Sequence, residues 1–119
     1  NASVVFDEFA KQSYEKGEYL KSIEFWEKAS ELIKNEDSYL LNMAFAYAQI
    51  EKYDKSLEKL KIIEKRNIKS NDGQFEFLTG VSLNGIKRYS LACQYLRKSK
   101  SLGYKASNLL LSKINCQSR

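Results

Sequence analysis

The segment KGEYLKSIEFWEKA, residues 16–29, places Tyr19, Ser22, Trp26 and Ala29 three or four residues apart behind Gly17. That frame returns as EKYDKSLEKLKII at 51–63 and as KRYSLACQYLRKS at 87–99. Aligned on Tyr19, Tyr53 and Tyr89, the copies lie 34 and 36 residues apart. A period of that size marks an array of stacked supersecondary units. The later copies repeat the spacing without the reactive groups of the first, so the spacing serves packing rather than an active site.

The composition agrees with helices throughout. The 119 residues contain no proline, the strongest helix terminator, and only five glycines. Histidine is absent, which removes the commonest general base and the commonest metal ligand. Hydrophobic residues make up 43 % and charged residues 29 %, which places the chain with globular rather than disordered sequences. No apolar run reaches the roughly 18–20 residues of a membrane span, and NASVVFDEF lacks the basic start of a signal peptide. A soluble chain is expected, with the cytoplasm slightly favoured. Because it begins at Asn1 without methionine, a piece of a longer protein and a mature form are both open.

Apolar residues recur at three- and four-residue steps, which predicts helices over 4–16, 19–33, 38–50, 53–66, 74–86, 89–101 and 105–116. Stripes run through Phe6, Phe9, Ala10 and Ser13, then Ile23, Trp26, Ala29 and Ile33. They continue through Leu40, Met43, Ala44 and Tyr47, and through Leu57, Leu60 and Ile63. The third copy supplies Phe75, Leu78, Gly80 and Leu83, then Tyr89, Ala92, Leu96 and Ser99. Gly17 suits the left-handed residue that ends one helix and turns the chain into the next. Asp37, and Asn71 or Asp72, are the expected N-caps. Ala106, Leu109, Leu110 and Ile114 form the expected apolar side of the last helix, which covers the end of the array.

Small residues recur at two positions twelve apart: Ala10, Ala44 and Gly80, and Ser22, Ser56 and Ala92. Facing each other, they let paired helices cross closely. Tyr19, Tyr53 and Tyr89 head the second helices, where each ring is expected to wedge into a neighbouring hairpin. Trp26 is expected to be buried between the first and second hairpins.

This pattern resembles the tetratricopeptide repeat, whose 34-residue unit carries an aromatic, Leu-Gly, a tyrosine, Gly-x-Tyr, alanine, an aromatic and alanine. The first copy matches with Phe6, Phe9-Ala10, Gly17-Glu18-Tyr19, Ser22, Trp26 and Ala29. The second supplies Leu40, Met43-Ala44, Tyr47, Tyr53, Ser56, Leu60 and Ile63, and the third Gly80, Leu83, Tyr89, Ala92, Leu96 and Ser99. Glu76 and Thr79 fall where the family prefers large apolar groups, and the closing proline is missing from all three copies. The resemblance implies an all-α, right-handed superhelical solenoid of three antiparallel hairpins. As one domain over 1–119, it would have repeats at about 3–36, 37–70 and 73–104 and a capping helix at about 105–116.

The family usually receives a peptide or partner helix on a concave face lined by the first helix of each unit. Carried over position by position, that face would hold Asp7, Lys11 and Tyr14, then Leu41, Asn42, Phe45 and Gln49, then Phe77, Val81 and Asn84. The expected function is a protein-protein interaction module without catalysis, cofactor, metal or small-molecule substrate. The alternative is a structural or self-associating segment of a larger repeat protein. The subfamily that grips chaperone C-terminal tails uses lysine, arginine and asparagine; here those positions hold Asp7, Lys11, Asn42, Gln74 and Leu78, and only Asn42 matches. That partner is disfavoured.

Charge is uneven. Residues 1–37 carry nine acids against five bases, whereas residues 77–119 carry eight bases and no acid. Lys87, Arg88, Arg97, Lys98, Lys100, Lys105 and Lys113 could meet RNA, an anionic surface or an acidic protein. Nucleic acid is disfavoured, because no pair of base-reading residues repeats across the copies. Acidic start and basic end also permit self-association. Cys93 and Cys116 lack the spacing of a zinc or redox motif. An antiparallel last helix would bring Cys116 near Cys93, but free thiols are expected.

Overall fold

A computed structural model describes residues 1–34, 36–66, 72–114 and 116. Among these, seven α-helices and no strand occur: α1 (Ala2–Glu15), α2 (Tyr19–Leu32), α3 (Asp37–Gln49), α4 (Tyr53–Lys65), α5 (Gln74–Gly85), α6 (Tyr89–Ser101) and α7 (Ala106–Lys113). The contacts divide the chain into two compact units, Asn1–Arg66 and Asn67–Arg119. The first holds the hairpins α1–α2 and α3–α4, with α2 packed on α3. The second holds the hairpin α5–α6 and the final helix α7, packed on α6.

The small residues act where expected. Ala10, Ala44, Ser22, Ser56 and Ala92 are completely buried, and the Ser56 hydroxyl donates to the Ala44 carbonyl across the crossing at 2.9 Å. A Cβ on Gly80 would lie 2.6 Å from Leu96 Cγ and 3.2 Å from the Ala92 carbonyl oxygen, so α5 and α6 touch at a point with room for hydrogen alone. Above and below these crossings the large residues close the core, with Trp26, Leu60 and Leu96 all buried.

Each hairpin turns in the same way. The N–H of Glu18 donates to the Ser13 carbonyl, that of Lys52 to Tyr47 and that of Arg88 to Leu83, each at 2.9 Å. These six-residue closures need a left-handed residue one position earlier. Gly17 supplies it in the first hairpin, but Glu51 (φ 60°) and Lys87 (φ 69°) stand there in the second and third.

The structure corrects several expectations. The cap of α3 is Glu36, whose carboxylate accepts from the Ser38 N–H; Asp37 begins the helix and pairs with Arg66 at 2.9 Å. Asp72 accepts from the Gln74 N–H at 3.0 Å, but the cap position of α5 is Gly73 at φ 84°; Asn71 lies outside the described residues. Phe9 and Ile33 are exposed, because the first lies at the edge of α1 with one side against Phe25 of α2, at 5.4 Å between centroids, and the second follows the end of its helix. Tyr19 meets Tyr14 edge-on within its own hairpin, at 5.0 Å between centroids, and Tyr89 is exposed. Glu76 is buried where the other copies have Phe6 and Leu40, and its Oε1 has no hydrogen-bond partner among the described residues.

The largest corrections concern the C-terminus. The thiols are not free: Cys93 and Cys116 form a buried disulfide with Cα atoms 5.6 Å apart. Helix α7 runs back along α6 as expected, and Cys116, beyond the end of α7, lies against Cys93. The α7 apolar side is also rotated. Ser107 is its buried residue, Leu110, Leu111 and Ile114 are half-buried, and Ala106 and Leu109 are exposed. Leu109-Leu110-Leu111 is apolar all round, so its period does not define a face. The Cys116 tether and an Arg97 guanidinium donating to the Cys116 carbonyl set the rotation.

Two tests follow from these features. Replacing Glu51 or Lys87 by glycine relieves left-handed strain that outweighs the entropy glycine adds to the unfolded chain, and each change is expected to raise the urea midpoint by about 0.5–1 kcal/mol of stability. Closing the 23-residue loop between the cysteines restricts the unfolded chain, so reduction or Cys116→Ser is expected to cost about 3 kcal/mol. Urea titration with and without reductant measures the latter, and a reductant-insensitive wild type would contradict it.

Candidate protein-interaction face

In the first unit the candidate residues come from α1 and α3. Helix α3 buries Tyr39, Leu40, Met43, Ala44 and Ala46, which leaves Ser38, Leu41, Asn42, Phe45 and Gln49 on its opposite flank. Gln49 is exposed, and Leu41, Asn42 and Phe45 keep part of their surface in water. From α1, Tyr14 is half-buried and Lys11 exposed. Two contacts join the helices: Gln49 Nε2–H donates to Tyr14 Oη at 3.0 Å, and the Ser3 and Tyr39 hydroxyls share a buried hydrogen bond of 2.6 Å. The structure thus brings Tyr14 and Gln49 together directly, with Asn42 and Phe45 on the same flank of α3.

Asp7 holds the α1 side in place. Its Oδ1 accepts from the Trp26 indole N–H at 2.8 Å, and its Oδ2 pairs with Lys11 Nζ at 3.1 Å. Trp26 is thereby buried and bonded back into its own hairpin, with its ring 6.2 Å from that of Tyr14. The Asp7 hydrogen bond, and then its charge, hold the Lys11 ammonium above its ordinary pKa of 10.5. A raised lysine pKa stabilises the folded state fully below the unfolded value and loses that contribution as pH rises through the folded one, so the pair is intact across neutral pH.

In the second unit Phe77, Val81 and Asn84 share one flank of α5, half-buried, while Leu78, Thr79, Gly80, Ser82 and Leu83 are buried. Phe77 packs on Tyr104, with centroids 4.8 Å apart. Sequence reading passed over Tyr104, although an aromatic directly after a helix-ending glycine was visible as Gly103-Tyr104. Lys87, Arg88, Arg97, Lys98, Lys100 and Lys105 are all exposed along α6 and its flanking turns. Arg97 differs in being bonded to the Cys116 carbonyl. Among the described residues, the ion pairs Lys11–Asp7, Lys59–Glu27 and Arg66–Asp37 all lie in the first unit. Among the described residues of the chain, no group of three acidic or cysteine side chains could hold a metal ion, and no helix is long and apolar enough to cross a membrane.

No protein-family model matches the sequence, and comparison with curated proteins returns no relative. Solved structures match well. The TPR domain of Arabidopsis OM64 superposes with a TM-score of 0.84 at 18 % identity, over 95 % of this chain and 93 % of that one. The first TPR domain of human RPAP3, solved by NMR, gives 0.80 at 15 % identity, over 96 % and 90 %. At such identities the likeness concerns the fold, and the chain has the tetratricopeptide-repeat fold.

Asp7→Ala leaves the buried indole N–H unpaired. It is expected to cost about 1–3 kcal/mol in urea unfolding and to shift the emission of Trp26, the single tryptophan. Unchanged emission and midpoint would remove Asp7 from its positioning role.

Proposed function

We propose that this chain is a non-catalytic protein-interaction module that takes an extended peptide or a partner helix along the flank of α1 and α3, at Lys11, Tyr14, Leu41, Asn42, Phe45 and Gln49. The supporting observation is a contrast in burial. Trp26, Leu60 and Leu96 of the second helices are fully enclosed, whereas Leu41 and Phe45 of α3, equally apolar, keep part of their surface in water. Partly exposed apolar groups among amides suit peptide recognition: the ring and leucine offer burial, and Asn42 and Gln49 can bond a backbone. Phe77, Val81 and Asn84 hold the equivalent positions of α5 and form the corresponding candidate in the second unit.

The compartment is part of this reading. A buried disulfide fits a protein that matures where thiols are oxidised, so we infer an oxidising compartment in place of the cytoplasm.

Peptides selected from a random display library on the wild-type domain test the site. Asn42→Ala and Phe45→Ser are expected to lose selected peptides at least tenfold in affinity, with unfolding lowered by no more than about 2 kcal/mol for a half-buried ring. Lys98→Glu serves as the remote control. Retained binding in folded Phe45→Ser would exclude this face, and binding lost only with Lys98→Glu, or falling steeply with salt, would move the site to the basic residues of the second unit.

A further inference from the structure

The second helices α2, α4 and α6 hold equivalent places in their hairpins but differ in charge. With the turns before them, aligned on Tyr19, Tyr53 and Tyr89, they occupy 17–32, 51–66 and 87–102. The first stretch carries Glu18, Glu24, Glu27 and Glu31, and the second Glu51, Asp54, Glu58 and Glu64. In the third, Arg88 and Arg97 stand where Glu18 and Glu27 do, and Lys87 and Lys100 where Glu51 and Glu64 do. Gln94 replaces both Glu24 and Glu58, while Ser90 and Ser101 replace Asp54 and Glu31. Every acid has become a base or a neutral polar group.

Packing does not demand the change. Lys28 and Ile62, the counterparts of Lys98, are exposed, as are Glu18 and Lys52, the counterparts of Arg88, so these positions face water in all three hairpins. Nor are the new charges balanced locally. The acids of the second unit are Asp72, which accepts from the Gln74 N–H, and buried Glu76. Among the described residues, Lys87, Arg88, Lys98 and Lys100 take part in no ion pair.

The outward stripe of α6, opposite buried Ala92, Cys93, Leu96 and Ser99, is Ser90, Gln94, Lys98 and Ser101. It offers no aromatic ring on which a nucleic-acid base could stack and no apolar anchor for a peptide. Hydroxyl and amide groups fill the middle, with bases at both ends; Arg88 and Lys98, ten residues apart, stand about 15 Å apart along the helix. That spacing suits an extended polyanion rather than one isolated anion, and a stripe of hydroxyls and amides suits a sugar chain.

We propose that the outer face of α6 binds a sulfated polysaccharide, with Lys87 and Arg88 at one end and Lys98 and Lys100 at the other. The choice of this polyanion over nucleic acid rests also on the oxidising compartment inferred above from the disulfide. The site shares no residue with the peptide flank of α1 and α3, so the two ligands are independent.

Titration of the intact, oxidised chain with heparin tests this. Binding is expected to weaken at least about tenfold between about 50 and 200 mM salt, and heparin stripped of its sulfates to bind at least about tenfold more weakly. Arg88→Glu with Lys98→Glu is expected to lower affinity at least about tenfold, whereas Lys21→Glu with Lys55→Glu, an equal change of net charge on α2 and α4, should lower it less than about threefold. All four residues are exposed, and circular dichroism checks folding. Gln94→Glu, which restores the acid of the other two helices, provides a milder variant and should weaken binding about threefold. Absence of heparin binding by the wild type overturns the proposal. So do equal losses in the two double variants, which would reduce the effect to net charge, and so does tighter binding of single-stranded DNA or polyglutamate of equal charge. A thiol count on the chain isolated from its own source tests the compartment separately. Free Cys93 and Cys116 there would overturn the choice of polysaccharide even where heparin binds.

Discussion

The structure depends on how closely the two helices of a hairpin can cross. At Gly80 the limit is explicit, because one added carbon would overlap Leu96 and press on the Ala92 carbonyl. In the first unit Ala10, Ser22, Ala44 and Ser56 are all completely buried, and the Ser56 hydroxyl satisfies a backbone oxygen of the facing helix. Everything buried elsewhere follows from that approach. Trp26, Leu60 and Leu96 can each remove their apolar surface from water, worth about 1.5–3 kcal/mol per side chain, only if the opposing helix lies close enough to close over them. Serine is tolerated at two of these fully buried positions because its oxygen reaches a carbonyl of the same hairpin, Tyr19 for Ser22 and Ala44 for Ser56.

The two units secure their edges differently. The first carries acids and bases in comparable number and makes ion pairs between its elements: Lys59 of α4 with Glu27 of α2, and Arg66 with Asp37. Such exposed or partly exposed pairs contribute little each. The second unit has few carboxylates, and its sequence from residue 77 onward has none. Its last helix is short, and the one side chain it buries is Ser107. The covalent bond from Cys116 to Cys93 compensates for that small apolar contact, and the Arg97 bond to the Cys116 carbonyl anchors the backbone beside it. A covalent tie is indifferent to salt, which suits a surface of like charges.

Apolar residues of similar size have three different fates in this chain. Second-helix residues such as Leu60 and Leu96 are core. Leu41 and Phe45, on the flank of α3, are partly wet. Val5 and Phe9, on the stacking flank of α1, are open. Only the first fate needs no explanation beyond folding. The second carries the proposed peptide-binding reading.

The 34- and 36-residue returns of Tyr19, with helical spacing inside each return, determined the hairpins and the small-residue crossings, and the helices begin and end within a few residues of the expected positions. Local chemistry suffices there, because three- and four-residue periodicity and a left-handed turn are properties of neighbouring residues. The candidate face was legible as positions, since Leu41, Asn42 and Phe45 fall on the side of α3 opposite its buried stripe. That Asp7 would tie Trp26 to Lys11, and that Tyr104 would lie on Phe77, was not legible, since each joins residues brought together only by hairpin packing. The disulfide belongs to the same class. Sequence separation says that Cys93 and Cys116 can approach across antiparallel helices; the place of Cys116 beyond the end of α7, which helical periodicity does not reach, decides that they meet. Tertiary structure also decided how far each apolar residue is buried, because Phe9 and Met43 occupy the same repeat position, yet the packing of α2 on α3 encloses Met43 completely while Phe9 is 44 % exposed.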